Sequence, residues 1–176
     1  TIGNTPTHIG VKMAQKVMDT WGRTTQTKDG KDVGVERFVI VFSDGQPTKS
    51  TSDIDFSGTG NTAVSTAYDI KHSATKPSTV YTIFCPKSTE DTGNGRKFMQ
   101  RLSSDYPDAK TYNAGTDKKE HKYYKYATSD LTQIFENITQ EILVVASESY
   151  GVNTTMRDFI NNNYFIGNSI DKNLTS

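Results

Sequence analysis

The chain has 176 residues and a mass of 19.5 kDa, enough for one domain with a core of its own. It carries 20 Lys and Arg side chains against 20 Asp and Glu, so no net charge draws in nucleic acid or an anionic membrane surface. No apolar run approaches the length of a membrane helix, and a single cysteine excludes an internal disulfide framework.

The first third of the chain predicts a helix and then a strand. Apolar residues recur at four-residue intervals from His8 to Trp21, which predicts a helix with one apolar stripe. That stripe comprises Ile9, Met13, Val17 and Trp21. Residues 24–34 are polar with two glycines and predict a loop. The unbroken apolar run Phe38–Phe42 predicts a parallel strand buried on both faces.

The middle of the chain repeats this alternation. After a loop at residues 49–60, a weaker helix is predicted for Thr62–Ala74, and a second buried strand for Val80–Cys85. The inward face of the helix comprises Ala63, Ala67, Ile70 and Ala74. A short helix over Gly95–Ser103 follows, anchored by Phe98 and Leu102.

The last elements are a third strand at Tyr123–Ala127 and a helix that Asp130 can cap. The predicted buried face of this helix comprises Leu131, Ile134, Phe135, Ile138 and Ile142. Strands that alternate with helices predict an α/β fold, a doubly wound and mainly parallel sheet with helices on both faces.

A carboxylate and a hydroxyl fall at the same predicted edge of this sheet. Asp44 stands one residue past the strand Phe38–Phe42, and Thr7 lies in the loop before the first helix. In open α/β sheets ligands bind beyond the carboxyl ends of the strands. Each residue also has a simpler interpretation, because Asp-Gly often begins a turn and Thr often caps a helix. As hard oxygen ligands on one edge, the two side chains suit Mg²⁺.

The segments around these residues resemble the von Willebrand factor A (VWA) domain family. Residues 7–11 resemble the threonine loop of its metal-ion-dependent adhesion site (MIDAS), and Phe38–Gly45 resembles its fourth strand with the Asp-Gly loop. The helix from Asp130 to Leu143 is similar to the family's final helix, which moves during activation in some members. The resemblance covers about residues 1–145.

Within that family, the chain is similar to A domains at the tips of Gram-positive, sortase-assembled pili. The segments at residues 98–113 and 123–142 carry this likeness, and the Thr- and Asn-rich composition is typical of a bacterial surface protein. The resemblance implies a cell-surface or cell-wall adhesin. Its partners would be other pilus subunits and a host protein or matrix ligand that offers an acidic group. Thr7 and Asp44 would hold Mg²⁺, with Mn²⁺ or Ca²⁺ as alternatives.

Two domains are predicted. Residues 1–146 would form the C-terminal two-thirds of the VWA domain. Residues 147–176, with Asn and Ser clusters around short apolar pairs, would be a linker and the start of a β-rich, immunoglobulin-like stalk domain.

The chain departs from the family at the first metal-binding loop. Nothing before Thr7 supplies Asp-x-Ser-x-Ser or the strand that carries it, so that segment is expected to lie on a part of the domain outside these 176 residues or on another chain. Asp55–Thr59 has similar spacing, but it follows Asp44 and no apolar strand precedes it, which favours a surface loop over a permuted site. Without the missing strand, Phe38–Phe42 would expose an unpaired edge.

The sequence gives little support for zinc, hydrolase or nucleotide-binding chemistry. The three histidines are scattered, and zinc-protease, nucleophile-elbow and Walker motifs are absent, so no catalytic role is predicted. Cys85 closes a strand and is interpreted as a core residue. The basic and aromatic run Lys118–Tyr126 could stack on bases or glycans, but a solvated turn that leads into an edge strand is favoured. Two alternative functions are a structural pilus subunit with a vestigial metal site and an enzyme-associated A domain.

We predict that the 176 residues alone fold poorly or bind metal weakly, because a strand and a metal-binding loop are missing. Circular dichroism and Mg²⁺ titration test this. A cooperative melt together with micromolar metal affinity would contradict it.

Overall fold

A computed structural model describes residues 6–49, 53–86, 93–116, 121–126 and 131–150, with the side chains of the last segment described to residue 145. Four helices and five strands lie in these ranges: α1 Thr7–Thr20, β1 Thr25–Lys28, β2 Lys31–Gly34, β3 Phe38–Ser43, α2 Asn61–Lys71, β4 Thr79–Phe84, α3 Gly93–Leu102, β5 Tyr123–Lys125 and α4 Leu131–Tyr150. A π-helical turn, Phe56–Gly60, leads into α2. The predicted cap Asp130 and residues 151–176 lie outside the described ranges, and α4 continues past the predicted boundary at residue 146.

The main sheet has three parallel strands in the order β3-β4-β5. β3 pairs with β4 over its whole length, from Phe38 opposite Thr79 to Ser43 opposite Phe84. β5 pairs with the second half of β4. This confirms the three predicted strands and their parallel order. It also places β3 and β5 at the edges of the sheet, as far as the described residues extend.

Helices cover both faces of the sheet. On one face α1, α2 and α3 pack against Val39, Val80, Phe84 and Tyr123. On the other face α4 packs Ile134 and Ile138 against Tyr81 and Ile83. The alternation along β4 explains this division, because successive side chains of a strand point to opposite faces. The molecule is therefore a mixed α/β structure with a parallel sheet.

The predicted loop at residues 24–34 is wrong. β1 and β2 form an antiparallel hairpin, with Asp29 and Gly30 in the turn at φ angles of 51° and 77°. Such angles suit the tight two-residue turn that joins hairpin strands. All eight strand residues except Val33 are exposed, so no apolar alternation marks these strands.

The helix predicted at the start of the chain is confirmed as α1, but its apolar stripe is exposed. Val11 and the first residue, Thr7, are buried, whereas at least half of each predicted stripe residue is exposed. β3 shows a related difference, because Ile40 is 42% and Phe42 55% exposed instead of buried. The helix stripe and the strand edge lack a covering element among the described residues.

The other helices agree better with their predictions. The buried residues of α2 include Ala63, Ala67 and Ile70, but Ala74 lies beyond its end and is exposed. Phe98 and Leu102 anchor α3 as predicted. In α4, Ile134 and Ile138 are buried and Leu131 and Ile142 partly so, whereas Phe135 is exposed. Cys85 is half-buried beside the apolar cluster that α4 forms with β4, and burial raises the pKa of its thiol.

A polar cluster centred on Glu141 adds to the attachment of α4. Its carboxylate accepts hydrogen bonds from the Tyr81 hydroxyl at 3.1 Å and the Tyr124 hydroxyl at 3.2 Å, and forms an ion pair with Lys122. Burial and the nearby carboxylate raise the pKa of Tyr124 to about 12, so its hydroxyl remains a donor at neutral pH. One side chain of α4 thus joins β4, β5 and the segment between them.

Replacing Glu141 with Ala should lower the free energy of unfolding by about 1–3 kcal/mol, because two partly buried hydroxyls and an ammonium group lose their acceptor. Urea denaturation measures the change. Glu136→Ala, at an exposed position of the same helix, is the matched control and should cost well under 1 kcal/mol. Equal losses in the two variants would show that the cluster does not attach the helix.

Candidate metal site at the carboxyl edge of the sheet

Thr7 is the first residue of α1 and is buried. The residue before the helix is Pro6, and no side chain caps the first turn. The Thr7 hydroxyl instead lies 3.4 Å from the hydroxyl of Ser43, the last residue of β3. The simpler interpretation of Thr7 as a helix cap is therefore not what the structure shows.

Ser43 joins the two predicted segments. Its hydroxyl is within reach of Thr7 and also accepts a hydrogen bond from the Gly45 amide at 3.2 Å. The residue is buried. Sequence reasoning did not single it out, although its place as the last residue of the strand, directly before the aspartate, could have identified it.

Asp44 follows at the same edge. Its Oδ1 accepts a hydrogen bond from the Gln46 amide at 3.1 Å, which makes the turn expected of Asp-Gly. A carboxylate has capacity for about four hydrogen bonds, so this turn and a role as a ligand are compatible. The structure therefore places Thr7, at the start of α1, beside Ser43, the residue directly before Asp44.

Gly45 fixes the path of the loop after Asp44. Its φ angle is +74°, which favours glycine, and a Cβ there would lie 2.4 Å from the Phe84 ring and 3.1 Å from the Gly95 carbonyl oxygen. The loop therefore packs directly against the end of β4 and the start of α3.

Asp55 has a local structural role. Its carboxylate accepts hydrogen bonds from the amides of Gly58 at 2.7 Å and Thr59 at 3.0 Å, at the start of the π-helical turn. These bonds, with the nearby charges of Lys49 and His8, lower the pKa of Asp55. The spacing that resembles a first metal-binding loop is thus used to begin a helix, and the predicted surface loop contains this turn.

The oxygen ligands at this edge satisfy part of the coordination of a hard divalent cation. Thr7, Ser43 and Asp44 offer two hydroxyls and a carboxylate, and Mg²⁺ accepts one or two carboxylates and keeps several waters. Within the described part of the chain, no three His, Cys, Asp or Glu side chains come together as a metal-binding group. A cation at this edge would therefore need water or ligands from elsewhere.

Comparisons with known proteins give no match. Protein-family models, curated proteins and solved structures were all searched, and none matches this chain significantly. Among the described helices, none is long and apolar enough to cross a membrane.

Gly45→Ala should lower the free energy of unfolding by about 2–4 kcal/mol, since it combines an unfavourable φ angle with a collision against a buried ring. Gly30→Ala is the matched control, with a φ angle of +77° and open space around its Cβ. It should cost only the backbone part, about 1–2 kcal/mol. Chemical denaturation of both variants measures the difference, and equal costs would show that the loop does not pack as described.

Proposed function

We propose that this chain is a metal-dependent adhesion module of a Gram-positive pilus or surface protein. In this proposal the α/β structure is part of a doubly wound VWA domain, and the edge with Thr7 and Asp44 is a MIDAS-type site for Mg²⁺, or for Mn²⁺ or Ca²⁺. The protein would act at the cell surface or cell wall, where it would bind a host protein or matrix ligand and other pilus subunits.

The contact between Thr7 and Ser43 is the main support for this proposal. It joins the N-terminus of α1 to the end of β3, residues 36 positions apart in the chain, and Asp44 follows directly. Two buried hydroxyls and a carboxylate at the carboxyl edge of a parallel sheet lie where α/β proteins bind ligands.

Each residue would have a distinct part in binding. The Thr7 hydroxyl would ligate the ion directly or through water, and Asp44 would hold it through water. A cation with few protein carboxylates retains strong affinity for an incoming acidic group, and that is the chemistry it would supply. Ser43 would keep the Thr7 hydroxyl and the Gly45 amide in place.

One observation favours a second candidate function, a structural subunit with a vestigial metal site. One oxygen of Asp44 already accepts a bond within the turn, and the described residues bring no second and third acidic side chain to it. Such a subunit would space or present other parts of the assembly. Adhesion assays with and without EDTA separate the two functions, since a vestigial site predicts no effect of the chelator.

Asp44→Asn in the intact protein should abolish Mg²⁺-dependent ligand binding and leave the fold unchanged. Asparagine retains the Oδ1 acceptor for the Gln46 amide but removes the charge that attracts a cation. Isothermal titration with Mg²⁺ and an adhesion assay measure the two effects, and a thermal melt checks the fold.

Asp32→Asn is the matched control for this variant. Its carboxylate accepts a side-chain bond from Thr27 at 2.8 Å in the exposed hairpin, so the same substitution there should leave adhesion intact. If Asp44→Asn binds Mg²⁺ and ligand as well as the Asp32→Asn protein does, the metal mechanism is wrong.

A further inference from the structure

A polar cavity lies at the amino edge of the sheet, where the parallel strands begin, opposite the candidate metal site. Its volume is about 230 Å³. Its walls come from the segments that lead into β3 and β4, the end of α2 and the segment after α3. Its lining includes the basic residues Lys71 and His72, the serines Ser78 and Ser104, and the acidic residue Glu36.

The two serine hydroxyls retain the capacity to donate hydrogen bonds. The Ser78 hydroxyl accepts a bond from the Arg37 guanidinium at 2.9 Å, and the Ser104 hydroxyl accepts one from the Val80 amide at 2.8 Å. A hydroxyl is also a donor, and neither O–H has an acceptor among the described residues. Ser78 and Val80 lie two residues apart on one face of β4, about 7 Å. Two donors at that separation can hold oxygens of a single ligand.

A buried positive charge lies behind this wall of the cavity. Arg37 is only 7% exposed, and apart from the bond to Ser78 its side chain is unsatisfied. Its Nε and Nη1 have no hydrogen-bond partner in the described part of the chain. A buried charge without a partner is costly, because it has lost its hydration. An anion held by Ser78 would lie next to this guanidinium and compensate its charge.

Lys71 supplies a second positive charge. Its ammonium group donates to the backbone carbonyls of Arg101 at 3.3 Å, Ser103 at 3.1 Å and Tyr106 at 2.8 Å. A helix C-terminus disfavours anions, but these bonds engage the carbonyls at the end of α3. Burial lowers the pKa of Lys71 to about 8, so the group is mainly protonated at pH 7.

Nearby acidic groups lie mainly outside the cavity. Asp105 and Asp108 interact with the charge of Lys71, but neither lines the cavity. Asp105 accepts bonds from the amides of residues 121–123, and the exposed Asp108 carboxylate pairs with His72 at 3.5 Å. Glu36 does line the cavity, and it is exposed. The cavity therefore offers hydroxyl donors backed by two positive charges.

We propose that this cavity binds a phosphate group, which the hydroxyls of Ser78 and Ser104 and the charges of Arg37 and Lys71 would hold. A phosphate group suits these donors, because it combines a charge near −2 with several strong acceptor oxygens. The cavity is larger than one phosphate group, so the ligand is either the free ion or a small phosphate monoester.

The test uses the intact protein in EDTA, so that no divalent cation at the opposite edge can bind phosphate. Inorganic phosphate and glycerol phosphate are titrated separately at pH 7 by calorimetry, and thermal melts are recorded with each. We expect saturable binding of one phosphate group and a raised melting temperature, whereas sodium chloride at the same ionic strength should give neither. Tighter binding of the ester would identify a phosphorylated ligand, and equal binding the free ion.

Serine variants locate the site. Ser78→Ala and Ser104→Ala should each weaken phosphate binding about tenfold, because each removes a hydrogen bond to a charged group. Ser73→Ala is the matched control. Its hydroxyl accepts a bond from the Lys76 amide at 3.2 Å at the same end of the sheet, outside the cavity, so phosphate binding should be unchanged.

Charge variants test the electrostatic part of the proposal. Arg37→Gln retains a donor for Ser78 but removes the charge, and should weaken binding about tenfold. Glu36→Gln removes the acidic group of the lining and should strengthen binding about threefold, a gain that a damaged fold would not produce. Glu136→Gln makes the same change at an exposed position of α4 and should have no effect.

Two results would overturn the proposal. The first is the absence of saturable binding in millimolar phosphate. The second is an affinity that Ser104→Ala and Glu36→Gln both leave unchanged, which would place the anion elsewhere on the protein. All of these measurements exclude divalent cations, so the phosphate site and the proposed adhesion function can fail separately.

Discussion

The pairing of β3 with β4 is the interaction on which the rest of the structure depends. β4 is buried along almost its whole length, with alternate side chains in the two apolar clusters. Its register with β3 determines that Ser43 ends opposite Phe84. The carboxyl edge of the sheet, and with it the position of Asp44, therefore follows from packing in the core and not from interactions among the polar groups at the edge.

Main-chain geometry then determines which groups at this edge can meet. Gly45 turns the chain sharply against Phe84, and the Asp44 side chain stabilises the same turn. α1 begins beside the end of β3, so that its first hydroxyl contacts that of Ser43. Asp55, by contrast, is held by two amides of its own segment. Acidic residues close in sequence thus have different roles, because only one of them directly follows a strand of the sheet.

Local patterns of apolar residues in the sequence predicted the elements that are buried in this core. Phe38–Phe42 is a continuous apolar run, and Val80–Cys85 is apolar except for Thr82; both form strands of the parallel sheet. The hairpin at residues 25–34 could not be found in this way, because its side chains face solvent and carry no apolar alternation. The Asp29-Gly30 pair was the one available signal, since Asp-Gly is a preferred hairpin turn.

The exposure of apolar residues on α1 and β3 has a different cause. Ile9, Met13 and Val17 have the spacing of a buried stripe, and Phe42 has the character of a buried strand residue, yet all of them are exposed. Hydrophobic periodicity indicates which side chains should be covered. It does not indicate whether the covering element lies among the described residues. The site prediction had a similar limit. Sequence order placed Thr7 and Asp44 on one edge, and the position of Ser43 directly before Asp44 made it a candidate, but its contact with Thr7 follows from three-dimensional proximity.

The cleft between α1 and β3 and the candidate metal site share residues. Thr7 and Ser43 line this cleft, and their hydroxyls lie 3.4 Å apart. Carboxyl ends of parallel strands meet at one edge of a sheet, which is where Asp44 follows β3. Among the described residues, no three His, Cys, Asp or Glu side chains come together as a metal-binding group. The cleft and the candidate site therefore depend on the same contact between α1 and β3, so a change in the packing of α1 would alter both.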